Sequence, residues 1–161
     1  MSELQEGMPA PDFCLPDADE RTVCLAELRG AYVVVYFYPK DNSSGCTLQA
    51  QSFSDEMEAF SRQNTRVFGI SPDSVRSHKR FTEKHGLTVR LLSDPDHAVI
   101  EAYGAWVPKK MYGREYMGVE RSTFIIDPEG RVAAVWRKVK VKEHVAVVMA
   151  RLEELRAGGA A

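Results

Sequence analysis

Hydrophobic positions along the chain switch between strand-like runs and helix-like periods. Residues 32–38 form a continuous β-branched and aromatic run, which is typical of a central strand buried on both faces. Apolar residues then recur at helical spacing over residues 46–63, and the next apolar run covers residues 66–70. A second helical pattern over residues 74–85 ends at Gly86. This order predicts a parallel βαβ unit with a right-handed crossover.

The two ends of the chain add further elements around this unit. Residues 12–15 and 21–25 flank a turn-rich segment and predict an N-terminal β-hairpin. With no repeat and no linker, the pattern predicts one α/β domain over residues 1–161, with a mixed sheet flanked by helices. The other predicted elements are a short strand at 91–92, a short helix at 97–103, a long loop at 106–119, strands at 122–126 and 131–136, and a closing helix at 141–156.

Charge and hydropathy exclude several classes of function. The 21 basic and 23 acidic residues give a net charge of −2, and nucleic-acid binding normally requires a basic excess. The longest apolar run, residues 31–38, is far too short to span a bilayer, and the N-terminus lacks the pattern of a signal peptide. We therefore expect a cytoplasmic protein that binds neither nucleic acid nor membrane.

Three cysteines at unlike spacings do not resemble a disulfide framework and suggest a reducing compartment. The chain has no CxxC and no HExxH, so we expect no metal and no cofactor. Cys14 and Cys24 face each other across the predicted hairpin if its loop is centred on Asp19, but a shift of one residue puts them on opposite faces. We expect two half-buried, unbonded strand residues. A disulfide between them, or a role for either in resolving Cys46, stays open.

The strongest chemical candidate is Cys46, which follows the buried strand and falls in the first turn of a predicted helix. The free N–H groups and the helix dipole at such a position stabilise a thiolate, which is the nucleophilic form of cysteine. Ser43, three residues earlier, is able to place a hydroxyl beside the sulfur, and Gly45 lets the backbone approach the molecule under attack. The alternative is a buried cysteine that only fills space.

Residues 36–47, which read YFYPKDNSSGCT, resemble the peroxidatic motif of the peroxiredoxins, Pro-x-x-x-Thr/Ser-x-x-Cys. The residues of this segment are most similar to those of the bacterioferritin comigratory protein, or peroxiredoxin Q, subfamily. The similarity continues in order through residues 10–13, 69–73, 91–94 and 121–127. It implies a thioredoxin-like three-layer sandwich and thiol-dependent reduction of peroxides.

The same resemblance implies roles for individual residues. Cys46 matches the peroxidatic cysteine, which becomes a sulfenic acid, and Ser43 matches the Thr/Ser hydroxyl of the motif. Pro39 matches the proline that shields the pocket, and Arg121 matches an arginine on a later strand. Donors aimed at the departing peroxide oxygen stabilise the negative charge that develops there. On the same helix face as Cys46, Gln49 is placed to hold Arg121 through its amide oxygen.

Two departures from the subfamily pattern affect the expected mechanism. Ser44 stands where proline is usual, and Gln51 stands where many members carry a resolving cysteine; the alternative position, near Thr82 or Glu83, also lacks one. We therefore expect a one-cysteine peroxidase, resolved by an external thiol such as thioredoxin, glutaredoxin or glutathione, and a monomer or weak homodimer. The alternative is a peroxide sensor that forms a mixed disulfide with a client. The missing CxxC disfavours a thioredoxin-like disulfide reductase.

Overall fold

The computed structural model describes residues 4–158. The strands are β1 (Cys14–Pro16), β2 (Thr22–Cys24), β3 (Tyr32–Phe37), β4 (Thr65–Ser71), β5 (Arg90–Ser93), β6 (Trp106–Met111), β7 (Arg114–Val119), β8 (Ser122–Ile126) and β9 (Val132–Trp136). The helices are α1 (Ser44–Asp55), α2 (Met57–Arg62), α3 (Val75–His85), α4 (Ala98–Ala102) and α5 (His144–Gly158), with a 3-10 turn at Leu25–Leu28. The predicted order of elements is confirmed from β1 to β5 and again from β8 to α5.

A five-stranded mixed sheet in the order β5-β4-β3-β8-β9 forms the centre of the molecule. Strand β3 pairs in parallel with β4 and antiparallel with β8, and β4 pairs in parallel with β5. Because β3 and β4 run in parallel, the loops that follow them lie at the same edge of the sheet. This edge receives the first turns of α1 and α3.

Both faces of the central sheet are covered, as its apolar strands require. Alternate residues of β3 point to opposite faces: Val33 and Val35 join one hydrophobic cluster, while Val34 and Tyr36 join the other. The first cluster includes side chains from the N-terminal hairpin and α4, and the second includes side chains from α1, α2, α3 and α5. The result is the predicted α/β arrangement of helices around a mixed sheet.

The N-terminal hairpin corrects the expectation for its two cysteines. Its register places Cys14 directly opposite Cys24, with the two Cα atoms 4.0 Å apart, and a disulfide joins the two sulfurs. Leu15 and Val23 point into the core, so the two cysteines lie on the outer face, where Cys14 is exposed. The expected pair of unbonded strand cysteines was wrong because this register brings side chains on the same face into bonding distance.

One predicted helix and one predicted loop also differ from the structure. The helix expected over residues 46–63 begins earlier, at Ser44, and divides into α1 and α2 at Glu56, whose backbone leaves the helical region. Residues 106–119, expected to form a loop, instead form the antiparallel β6–β7 hairpin. Its turn residues Tyr112 and Gly113 both have positive φ, the conformation of a tight two-residue turn.

Within the described range, every helix is too short or too polar to cross a membrane.

Candidate active site

Cys46 lies in the first turn of α1, two residues after the helix begins. Ser43 is the N-cap residue, and its carbonyl accepts the first helical hydrogen bond, from the Thr47 N–H at 2.9 Å. The N–H groups before Thr47 therefore have no partner inside the helix, and they surround the cysteine with partial positive charge. Cys46 is unbonded and 1% exposed, packed in the cluster that contains Tyr36.

Arg121 brings a guanidinium to this sulfur from another part of the chain. It immediately precedes β8, whose first residue Ser122 pairs with Phe37 at the end of β3. The antiparallel pairing therefore places the start of β8 at the sheet edge where α1 begins. Arg121 Nη2 lies 3.1 Å from Cys46 Sγ, and Nη1 donates to Gln49 Oε1 at 2.8 Å.

Gln49 and Gly45 complete the surroundings of Arg121. Gln49 is fully buried one turn after Cys46, and its amide oxygen holds the guanidinium in place. A Cβ atom built on Gly45 would lie 2.9 Å from Arg121 Nη2, closer than such atoms normally approach. Glycine at this position therefore lets the guanidinium pack against the helix start and reach the sulfur.

The two other predicted site residues lie on the loop that leads to Cys46. The Ser43 hydroxyl donates to the Lys40 carbonyl at 3.1 Å, so its proton points toward its own loop in this conformation. A donor role toward a substrate on Cys46 would require rotation of this side chain, and that role stays a prediction. Pro39 is half-buried two residues after the end of β3, and its shielding role also stays a prediction.

Sequence reasoning missed Lys109, which lies on β6 near Arg121. Burial lowers the pKa of Lys109, and the positive charge of Arg121 lowers it further, while Glu120 and Cys46 act in the opposite direction. This lysine therefore adds a second cation to the electrostatic surroundings of the cysteine. The only signal available in the sequence was the strand itself, which Pro108 and the neighbouring glycines concealed.

Comparisons with known proteins identify the family of this chain. The AhpC/TSA family model matches residues 7–135, more than two thirds of the chain. The chain is 47% identical over 152 residues to peroxiredoxin Bcp of Bacillus subtilis, covering 94% of this chain and 97% of that protein. The chain belongs to the AhpC/TSA family, in its Bcp/PrxQ group of peroxiredoxins.

Other members of the group are similar over nearly the whole length. Peroxiredoxin Bcp of Escherichia coli is 41% identical over 154 residues, covering 96% of this chain and 99% of that protein. The structure of the bacterioferritin comigratory protein from Xanthomonas campestris has a TM-score of 0.88 and 36% identity, covering 93% of this chain and 98% of that chain. PrxQ from Xylella fastidiosa has a TM-score of 0.89 and 34% identity, covering 99% of each chain.

These relatives confirm two expectations that the family resemblance implied. The fold is the thioredoxin-like arrangement of the peroxiredoxins, with a central mixed sheet flanked by helices and an N-terminal hairpin. The chain is a thiol-dependent peroxidase.

Proposed function

We propose that this peroxiredoxin reduces hydrogen peroxide and organic hydroperoxides through Cys46, and that an external thiol completes its cycle. The observation that carries the proposal is the unbonded Cys46 at the start of α1, with Arg121 Nη2 at 3.1 Å from its sulfur. A fixed cation at this distance is placed to interact with negative charge on the sulfur and on an oxygen that leaves from it. The related Xanthomonas campestris protein has alkyl peroxide reduction activity, which supports the inclusion of organic hydroperoxides.

In the proposed first step, the Cys46 thiolate attacks one oxygen of the peroxide. The S–O bond forms as the O–O bond breaks, the sulfur loses two electrons, and the other oxygen leaves as water or alcohol after taking up a proton. Negative charge develops on this departing oxygen, and the donors proposed to stabilise it are Arg121, 3.1 Å from the sulfur, and the Cys46 N–H, which has no partner inside the helix. The product on the enzyme is a sulfenic acid.

The resolving thiol comes from outside the molecule in this proposal. Gln51 is exposed on α1 and carries no sulfur, and no cysteine stands in α3. Cys14 and Cys24 are bonded to each other on a hairpin that packs on the opposite face of the sheet from Cys46. Either would have to leave the hairpin and cross the sheet to reach the sulfenic acid.

A reducing cytoplasm supplies thioredoxin, glutaredoxin and glutathione, and we propose one of these thiols as the reductant. We also propose that the protein is a monomer or a weak homodimer. The second candidate function is a peroxide sensor, in which the sulfenic acid forms a mixed disulfide with a client protein. The exposed apolar side chains of the β6–β7 hairpin favour a protein partner, and either role would use them. They are Met111, Tyr112, Tyr116 and Met117.

Intact mass spectrometry after one equivalent of peroxide tests this proposal. We expect one added oxygen, trapped by a sulfenic-acid reagent on the Cys46 peptide, with no new disulfide inside the monomer. Adding each candidate thiol with excess peroxide separates the two functions, because an enzyme gives sustained peroxide loss and a sensor consumes one equivalent. A fast disulfide between Cys46 and either hairpin cysteine would contradict the one-cysteine mechanism.

A further inference from the structure

A buried polar network anchors the loop that connects β3 to the Cys46 helix. Asp41 lies in this loop, five residues before Cys46, and its side chain is 1% exposed. One carboxylate oxygen accepts from the Tyr38 hydroxyl at 2.6 Å. The other accepts from the Ser77 hydroxyl at 2.7 Å and lies 2.8 Å from His78 Nδ1. A buried carboxylate with three partners fixes the loop far more firmly than a solvated side chain would.

His78 completes the network on the other side. It is fully buried in α3, and its Nε2 lies 3.0 Å from the Leu92 carbonyl oxygen. Both ring nitrogens therefore face oxygen atoms that accept hydrogen bonds. His78 therefore connects the Asp41 carboxylate to the backbone of β5.

The backbone of the loop is tied to the same edge of the sheet. The Asp41 N–H donates to Asp73 Oδ2 at 2.8 Å, and the Ser71 hydroxyl donates to the same oxygen at 2.7 Å. The ligand-type atoms of Asp41, Asp73 and His78 lie within 4.8 Å of one another, and hydrogen bonds to one another and to their neighbours account for this grouping. The cluster therefore serves as a clamp between the β3–α1 loop and the start of α3.

Local hydrogen bonds connect the clamp to the segment around Cys46. The backbone carbonyl of Lys40, next to Asp41, accepts from the Ser43 hydroxyl at 3.1 Å. The Ser43 carbonyl accepts from both the N–H and the hydroxyl of Thr47, each at 2.9 Å. Cys46 lies between Ser43 and Thr47, so the position of its sulfur relative to Arg121 depends on where this loop is held.

We propose that Asp41, held by His78, is a positioning residue for peroxide reduction: it fixes the loop so that the Cys46 sulfur stays against the Arg121 guanidinium. The inference rests on the proposed role of Cys46 and assigns a function to a carboxylate that does not touch the sulfur. Misplacement of reacting groups by about 1 Å costs on the order of 10²-fold in rate, so the loss of such an anchor has a measurable effect on chemistry.

Asp41→Asn tests the proposal, because it keeps the shape of the side chain and replaces one acceptor oxygen with a donor. We expect the rate constant for oxidation of Cys46 to fall by about 10-fold or more. We also expect faster hydrogen exchange in residues 40–46 and a change in the ultraviolet thiolate absorbance as a function of pH. His78→Leu should have the same effects, whereas His78→Asn should retain much of the rate because its amide is able to donate toward Asp41.

Asp17→Asn is the matched control. Asp17 is 5% exposed and also holds a loop, accepting from the N–H groups of Asp19 and Arg21 at 2.9 Å and from Arg90 Nη2 at 2.6 Å. The Asp17→Asn variant should have a lower unfolding free energy but the wild-type rate constant for oxidation of Cys46. The proposal is overturned if Asp41→Asn and His78→Leu also lose only stability. Failure of the wild-type protein to form a sulfenic acid on Cys46 would instead overturn the proposed function.

Discussion

The molecule has two cysteine sites that differ in burial, in bonding and in their neighbouring groups. Cys46 is 1% exposed and unbonded, and it lies at the start of a helix beside Arg121. Cys14 and Cys24 lie on the outer face of a two-stranded hairpin and are bonded to each other. Cys14 begins β1, and Cys24 ends β2 just before the one-turn 3-10 helix at Leu25–Leu28, so neither lies in the first turn of an α-helix.

The comparison shows that exposure alone is a poor guide to the chemistry of a thiol. Cys14 is the most exposed of the three cysteines, but it has no free thiol because it forms a disulfide with Cys24 on the next strand. Cys46 is buried but unbonded, and the start of α1 and the Arg121 guanidinium lie beside its sulfur. The two sites therefore differ in their neighbouring groups, and they should respond differently to substitution.

Arg121→Ala should produce the largest change at the Cys46 site. Removal of the cation deprives the thiolate and the departing oxygen of a donor, so the rate constant for Cys46 oxidation should fall on the order of 10²-fold at neutral pH. Stopped-flow measurement of peroxide consumption checks this, with Arg131→Ala as the control because Arg131 is exposed and donates to the Gly7 carbonyl. An unchanged rate would show that Arg121 only packs against α1.

Replacing both hairpin cysteines should affect stability and leave the chemistry unchanged. The disulfide closes a loop with a sequence separation of 10 residues, so the Cys14→Ser/Cys24→Ser double variant should lose roughly 2–3 kcal/mol of unfolding free energy. Denaturant unfolding measures this loss, and the reduced wild-type protein provides the comparison. The account of two independent sites is wrong if the double variant oxidises Cys46 at a much lower rate.

Acid should lower the unfolding free energy through His144. The Nε2 atom of His144 lies 2.9 Å from the Oγ1 atom of Thr123, and Thr123 follows Arg121 by two residues. Burial lowers the pKa of His144 from 6.5 to about 4. The unfolded chain therefore takes up a proton below pH 6.5 that the folded protein does not. This lowers the unfolding free energy by about 2 kcal/mol between pH 7 and pH 5. His144→Gln should lose less over this range, and half-exposed His97→Gln should behave as wild type.

The residues around Cys46 were predictable because their signals are local. A buried apolar run, a loop with N-cap residues and a helical period place Cys46 at a helix start without any knowledge of contacts. Gln49 follows from the helical repeat, since a residue three positions on lies on the same face. The pairing of β3 with β8, which brings Arg121 to the sulfur, is not local, and for Arg121 the family resemblance supplied the prediction.

The features that were missed depend on contacts between distant segments or on unusual turns. The Asp41–His78 pair joins residues 37 positions apart, and each residue alone has the sequence signal of a loop acid or a packed helix histidine. The β6–β7 hairpin turns at Tyr112-Gly113, where Asn-Gly or Asp-Gly would have been a recognisable signal. The hairpin disulfide depended on a register that a single-residue shift would have reversed.

The most direct test of the account compares peroxide consumption by Cys46→Ser with that of the Cys14→Ser/Cys24→Ser double variant, with folding checked by circular dichroism. The account predicts that Cys46→Ser consumes no peroxide above the background, while the double variant reacts at the wild-type rate and carries the trapped sulfenic acid on its Cys46 peptide. Retained peroxide reduction in folded Cys46→Ser would contradict it.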